Sequence, residues 1–329
     1  MSGPWTPELF QLARKKVGSG AAVGIDGVQQ ITEVEVEQLR QELLQHRYRP
    51  RPLLCYQQHK RRPDGSIKVR EIGIPALRDQ VLMAALRLVM EPELERRLHP
   101  IVWGFRPGRD RFAAVATLGQ IRDWQSLVRC DVREMFPSLD HGALRRSVAQ
   151  IWPDPVIRGV LECWLQTWTR GCGIPMGTSI SPMLSNACLH LGVDRWLAAQ
   201  VQGLAPRSAL FPRQDPRSGY GPGGLRPLIP RGVDPRQAIA PAWGIAETPL
   251  RAAVRYADDF ALLCADNGRS TLAGLERALG ECGLALAPPK TSLHRRSCPQ
   301  DWPAWVLGIP LAPRGSGLLE PEAGPTPLP

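Results

Sequence analysis

Residues 252–264, Ala252-Ala253-Val254-Arg255-Tyr256-Ala257-Asp258-Asp259-Phe260-Ala261-Leu262-Leu263-Cys264, read as two short apolar strands facing each other across Ala257-Asp258-Asp259. The acidic doublet sits where that hairpin has to turn. Acids are common in turns because their side chains bond nearby backbone, so the doublet alone carries little. A second stretch changes its weight. Val128-Arg129-Cys130-Asp131-Val132 places a carboxylate in an apolar strand, where an ionised group is costly unless something positive meets it. Taken alone, Asp131 reads more simply as a strand-end residue capping a neighbouring amide. A strand carboxylate beside a hairpin doublet, however, is the arrangement that holds two divalent cations roughly 4 Å apart for in-line phosphoryl transfer. Hard oxygen donors point to Mg²⁺, with Mn²⁺ as a substitute, rather than to zinc.

Outward from these two stretches, helices and short strands alternate. Gly24-Ile25-Asp26-Gly27-Val28 is a turn signal, followed by a charged helical pattern over 32–45. The basic run His59-Lys60-Arg61-Arg62-Pro63-Asp64-Gly65 ends in an Asp-Gly pair that reads as a hairpin tip, and a strand follows over 69–74. Leu82, Ala85, Leu86 and Val89 recur at helical spacing, which predicts one amphipathic helix over 77–98, disturbed at Pro92. Asp140 is placed to cap a helix running through Leu144 and Val148, and Ile157, Leu161, Trp164, Leu165 and Trp168 line the next. Ser181-Pro182 reads as an N-cap with Pro at the first helical position, Ser270 as the cap of a helix ended by Gly283, and 305–309 as one last strand. The expected class is α+β.

At 329 residues the chain exceeds the usual ceiling for one core, which predicts two subdomains or an appended lobe. With 43% hydrophobic and 22% charged residues, global disorder is excluded. Lys and Arg number 41 against 31 Asp and Glu, a net charge of +10, so a polyanion is the first partner to consider. Residues 203–243 contribute four of those ten charges, six arginines against two acids, with eight prolines among them; this reads as an exposed basic insertion. The eight cysteines form no C-x-x-C pair, which argues against a zinc site or a disulfide framework. No stretch reaches the roughly 18 uncharged apolar residues of a membrane span, and the start has no basic segment leading into an apolar run, so a cytoplasmic location is expected.

Tyr256-Ala257-Asp258-Asp259 resembles the Y-A-D-D box of reverse transcriptases, and residues 131–141, DVREMFPSLDH, resemble the box that precedes it in that family. Arg70-Glu71-Ile72-Gly73-Ile74-Pro75 with Arg78-Asp79, Gly104-Phe105-Arg106-Pro107-Gly108-Arg109, Gly173-Ile174-Pro175-Met176-Gly177 with Ser181-Pro182, Gly283-Leu284 with Lys290-Thr291, and Leu307-Gly308 are similar to the remaining blocks in their order. Gly24 to Val28 resembles the extra N-terminal block of group II intron reverse transcriptases and their bacterial relatives. The resemblance runs over about residues 20–310.

The resemblance implies a right-hand polymerase of fingers and palm with an antiparallel palm sheet, flanking helices and no evident thumb. It implies an N-terminal extension and fingers over 1–110, palm with a returning fingers segment over 111–202, the basic insertion over 203–249, palm with the catalytic hairpin over 250–310 and a flexible tail over 311–329. It makes Asp131, Asp258 and Asp259 catalytic and groups Val132 with them at the metal. Phe136 would face the nucleotide sugar and reject a 2′-hydroxyl, while Arg70 with Arg62 or Lys68 would grip the triphosphate. Met176, Gly177, Tyr256 and Lys290 fall among substrate-binding positions. Met176 departs from the family's usual Gln and lacks its hydrogen-bond donors. The implied activity is RNA-directed DNA synthesis from deoxynucleoside triphosphates on an RNA template with a DNA or RNA primer, in CRISPR spacer acquisition or phage defence. A partner protein or oligomer would replace the thumb, and splicing or DNA cleavage is not expected. The rival readings are a polymerase-derived RNA-binding subunit and an untemplated nucleotidyltransferase.

Overall fold

A computed structural model describes residues 3–18, 22–61, 65–169, 171–201 and 250–311. The basic insertion, the tail after Leu311, and Arg62 with the Asp64 of the expected hairpin tip lie outside the described residues. The elements run α1 (Pro7–Val17), α2 (Glu33–Leu44), β1 (Leu54–Arg61), β2 (Ile67–Ile74), α3 (Leu77–Arg97), α4 (Arg111–Gly119), β3 (Ser126–Asp131), α5 (Met135–Ser138), α6 (His141–Ile151), α7 (Pro155–Trp168) and α8 (Ser181–Leu189). A π-helical segment (His190–Asp194) then leads into α9 (Arg195–Gln200), β4 (Leu250–Tyr256), β5 (Asp259–Cys264), α10 (Arg269–Gly280), β6 (Ser292–Arg295), β7 (Ala304–Val306) and β8 (Ile309–Leu311). The fold is α+β with antiparallel strand pairing, as expected.

The chain divides into two compact units. The first comprises residues 1–95 and 134–188. Its helices are locally coded: Thr32 and Glu35 form a reciprocal capping box at the start of α2, Asp140 accepts from the Ala143 amide at 2.6 Å, and Asp154 caps α7 with Pro155 in its first turn. Trp5, Phe10, Val36, Leu39 and Leu43 are buried in this unit. The β1–β2 hairpin is different in kind. It pairs in register from Leu54↔Ile74 to Arg61↔Ile67, and every residue of β1 is exposed.

The second unit comprises residues 96–133 and 189–329. It is built on a four-stranded sheet in the order β4-β5-β3-β6. β4, β5 and β3 are largely buried on both faces, as in a sheet covered on both sides. Leu127, Val254, Ala261 and Leu263 join Trp103, Val115, Leu118, Trp124, Trp302 and the β7–β8 residues Ala304, Val306, Ile309 and Leu311 in one core cluster.

Three sequence readings are corrected. Ser181 does not cap α8: Leu184 donates to the Ile180 carbonyl, so Ile180 is the cap position, and the Ser181 hydroxyl instead donates to the Pro175 carbonyl at 2.7 Å. Ser270 lies inside α10, whose cap is Gly268 at φ 72°, with Asp266 and Asn267 side chains accepting from the Gly268 and Arg269 amides. The expected last strand is a hairpin, because Leu307 and Gly308 both take left-handed φ values, 53° and 75°, and return the chain as β8. Pro92 stays within α3 without ending it.

Candidate polymerase site

β3 and β5 pair in a register that sets Asp131 opposite Asp259. Two like charges facing across adjacent strands repel, so the sheet brings these groups together against their own electrostatics. Asp258 follows from the hairpin. Ala257 takes φ 60°, a left-handed turn by a non-glycine residue, and Asp259 is already the first residue of β5, opposite Tyr256. The Val132 amide donates to the Asp258 carbonyl at 2.9 Å and fastens the turn to the end of β3. One carboxylate oxygen from each of Asp131, Asp258 and Asp259 lies within 4.8 Å of the others.

The electrostatic strain shows in Asp259, whose carboxyl is pushed up to about 6 by burial first, then by Asp258 and Asp131, with Lys290 and Arg129 opposing. The Cys130 thiol is pushed up to about 12 by burial first, then by Asp259, Asp131 and Glu276, which leaves it a small hydrophobe and no nucleophile. Lys290 ends the short helical turn Pro288–Lys290, which is tied down by the Ala287 amide donating to the Asp131 carbonyl at 2.8 Å. Its ammonium donates to Asp131 Oδ2 at 2.5 Å. A cation is therefore already held against one of the three carboxylates. Three hard oxygen donors crowded to the point of mutual repulsion, with an ammonium on one of them, suit a divalent cation. Val132 is buried and offers only its carbonyl as a ligand atom.

Of the expected site residues, the second unit brings together Asp131, Val132, Asp258, Asp259, Tyr256 and Lys290. Lys68, Arg70, Phe136, Met176 and Gly177 lie in the first unit. There Lys68 and Arg70 share one face of β2, two residues apart, and Lys60 stands directly opposite Lys68. Cations directly opposite one another across a ribbon repel, and an anionic ligand would relieve that repulsion. The Met176 carbonyl accepts from the Gly73 amide at 2.8 Å, and the Phe136 carbonyl accepts from the Ile174 amide at 2.8 Å, so the backbone couples the Phe136 turn and the 173–177 segment to β2. A Cβ on Gly177 would lie 2.9 Å from the Gly73 carbonyl oxygen and 2.5 Å from the Ile72 side chain, at φ 95°. Only glycine passes so close to the strand. Phe136 and Met176 are half-buried.

Sequence reading missed Lys60 as a member of the cationic face, although its basic neighbours were legible. It also missed Gly104 as a packing requirement: a Cβ there would sit 2.2 Å from the Ala257 nitrogen. Arg255 and Asp194, a fully buried pair in the second unit, carried no local signal.

No protein-family model matches the chain. Protein YkfC of Escherichia coli K12 is 28% identical over 303 residues, which cover 84% of this chain and 71% of that protein. The group II intron-encoded protein LtrA of Lactococcus lactis subsp. cremoris is 26% identical over 199 residues, 56% of this chain. The match spans 33% of LtrA, so the chain corresponds to about a third of that relative. Among solved structures, apo telomerase from Candida tropicalis, truncated from the C-terminal domain, superposes with a TM-score of 0.51 at 10% identity, covering 89% of this chain and 62% of that one. That likeness is one of fold, and the α+β architecture is of the fingers and palm kind.

Proposed function

We propose that this chain, a reverse-transcriptase-like protein, extends a primer on an RNA template with deoxynucleotides, the three clustered carboxylates Asp131, Asp258 and Asp259 being the observation that carries the reading. Divalent cations, Mg²⁺ or Mn²⁺, would supply charge neutralisation at the transferring phosphoryl group and a more acidic primer hydroxyl. Asp131, Asp258 and Asp259 would hold them, with the Val132 carbonyl as a further oxygen. Lys290 neutralises Asp131 until a cation takes over that charge. The first unit is assigned to fingers and the second to palm. On the fingers hairpin, Arg70 and Lys68, with Lys60 beside them, grip the triphosphate through charge-assisted hydrogen bonds, Arg62 being the other candidate at the same turn. Phe136 selects against a 2′-hydroxyl, and Met176, Gly177 and Tyr256 line the nucleotide.

Host process rests on the resemblance alone, and CRISPR spacer acquisition is placed ahead of phage defence. A partner chain or the basic insertion would help to grip the duplex. Among the described residues no helix is long and apolar enough to cross a membrane. The test is incorporation of labelled deoxynucleotides on a primed RNA template with Mg²⁺. Template-directed DNA product is expected. Addition that ignores template sequence would replace this reading with untemplated nucleotidyl transfer, and RNA binding without addition would replace it with a binding subunit.

A further inference from the structure

Beneath the turn that carries Asp258 and Asp259 lies an ion pair with no exposed atoms. Arg255 Nε donates to Asp194 Oδ1 at 2.6 Å and Nη2 to Oδ2 at 2.7 Å, and both side chains are 0% exposed. The cost of stripping water from two charges makes such a pair no better for stability than a well-packed apolar pair of the same volume. The third guanidinium nitrogen supplies what an apolar pair cannot. Arg255 Nη1 donates to the Ala257 carbonyl at 3.1 Å, across the residue that holds the left-handed turn.

The remaining contacts close the turn from the other side. The Arg255 amide donates to Ile101 at 2.8 Å and its carbonyl accepts from Trp103 at 2.7 Å, which lays Ile101 to Trp103 along β4. Gly104 then passes under the Ala257 nitrogen, where any Cβ would collide with it. Asp194 comes from the π-helical segment, whose wider winding re-aims a side chain relative to the regular helix on either side. His99 and His190 are lowered to about 3 and about 4 by burial, with the charge of Asp194 opposing, so both are neutral at ordinary pH. His99 Nδ1 accepts from the Ile101 amide at 3.3 Å, which joins the same strip of backbone.

We propose that Asp194 and Arg255 are positioning residues for the metal-ligating turn: Asp194 fixes the guanidinium fork so that its third nitrogen holds the Ala257 carbonyl, and so holds Asp258 and Asp259 beside Asp131 against their repulsion. The proposal rests on the reading of the carboxylate cluster as a metal site.

The experiment measures Mn²⁺ binding by the paramagnetic resonance of free Mn²⁺, with thermal melts in parallel, on the whole chain. The Asp194→Leu/Arg255→Met double variant removes the pair without stranding a charge, so it should melt close to the parent while Mn²⁺ affinity falls roughly 10–100-fold, the loss usual when a ligand's supporting partner is removed. Arg255→Lys keeps the charge facing Asp194 but lacks the fork, and it should weaken Mn²⁺ similarly; it serves if the double variant does not fold. Parent-like Mn²⁺ affinity in either folded variant overturns the positioning role. Mn²⁺ binding by the parent that Asp131→Asn leaves unchanged is a different failure, seen without touching the pair. It removes the metal site itself and the proposal with it.

Discussion

Asp79 and Asp259, one in each unit, are both carboxyls pushed up to about 6, and burial is the first cause for each. Their surroundings diverge from there. Asp79 accepts from the Tyr48 hydroxyl at 2.8 Å and from the Arg51 amide at 2.9 Å, and Tyr48 in turn accepts from Trp164 Nε1 at 3.0 Å. Donors on both oxygens oppose the shift, as a structural carboxylate requires. Around Asp259 the next causes are Asp258 and Asp131, which add to the shift. The first arrangement is complete without a ligand. The second crowds like charges, which Lys290 and Arg129 only partly offset.

The sharpest way to break this contrast is to neutralise the acids. Asp131→Asn, Asp258→Asn and Asp259→Asn are each expected to cut deoxynucleotide addition by more than about 10³-fold, roughly 4 kcal/mol of barrier. Asp79→Asn should leave the chemistry largely intact wherever the protein is folded. Primer-extension rates decide it, and equal losses at Asp79 and Asp259 would erase the distinction.

Cation binding should stabilise only the crowded site. At about 100 times its Kd, Mn²⁺ would add about 2.7 kcal/mol to the unit that binds it, read as a rise in its melting temperature. A proton on Asp259 competes with the metal, so this gain should shrink as pH falls through about 6 and vanish in Asp131→Asn.

Asp79 makes the opposite test, in stability without metal. Its folded carboxyl titrates near 6 against an ordinary 3.8, so the folded state holds the proton more tightly. That contribution is present below the ordinary value and is lost as pH rises through about 6. Urea melts of parent and Asp79→Asn should therefore converge or cross between pH 4 and pH 7, the parent losing about 2 kcal/mol relative to the variant. A pH-independent difference would mean that Asp79 titrates normally. The smallest effect is expected for Tyr48→Phe, which removes one donor to Asp79 and one acceptor of Trp164 at about 1–2 kcal/mol of stability while Mn²⁺ affinity stays unchanged.

What the sequence could show was whatever is coded within a few residues. The Asp140 cap and the strand-turn-strand around Asp258-Asp259 were legible because cap and turn partners are neighbours in the chain. Ser181 and Ser270 misled because a serine near a helix start fits several positions of the first turn, and the neighbouring Thr178 hydroxyl and Asp266 and Asn267 side chains took the amides instead. The β7–β8 turn was missed because Leu307, a residue that rarely takes positive φ, carries half of it.

By itself, then, the sequence determined the element types, the chemical identity of the three acids and their family order, since residue type and local spacing suffice for those. Only the tertiary structure decided that Asp131 faces Asp259, that Lys290 reaches Asp131, that Lys60 faces Lys68, and that Gly104 and the Asp194–Arg255 pair support the Ala257 turn. Such contacts depend on strand register, on the phase of a π-helical turn and on backbone separations of a few ångströms. Those quantities are set by how distant segments pack, and no local pattern of residues encodes them.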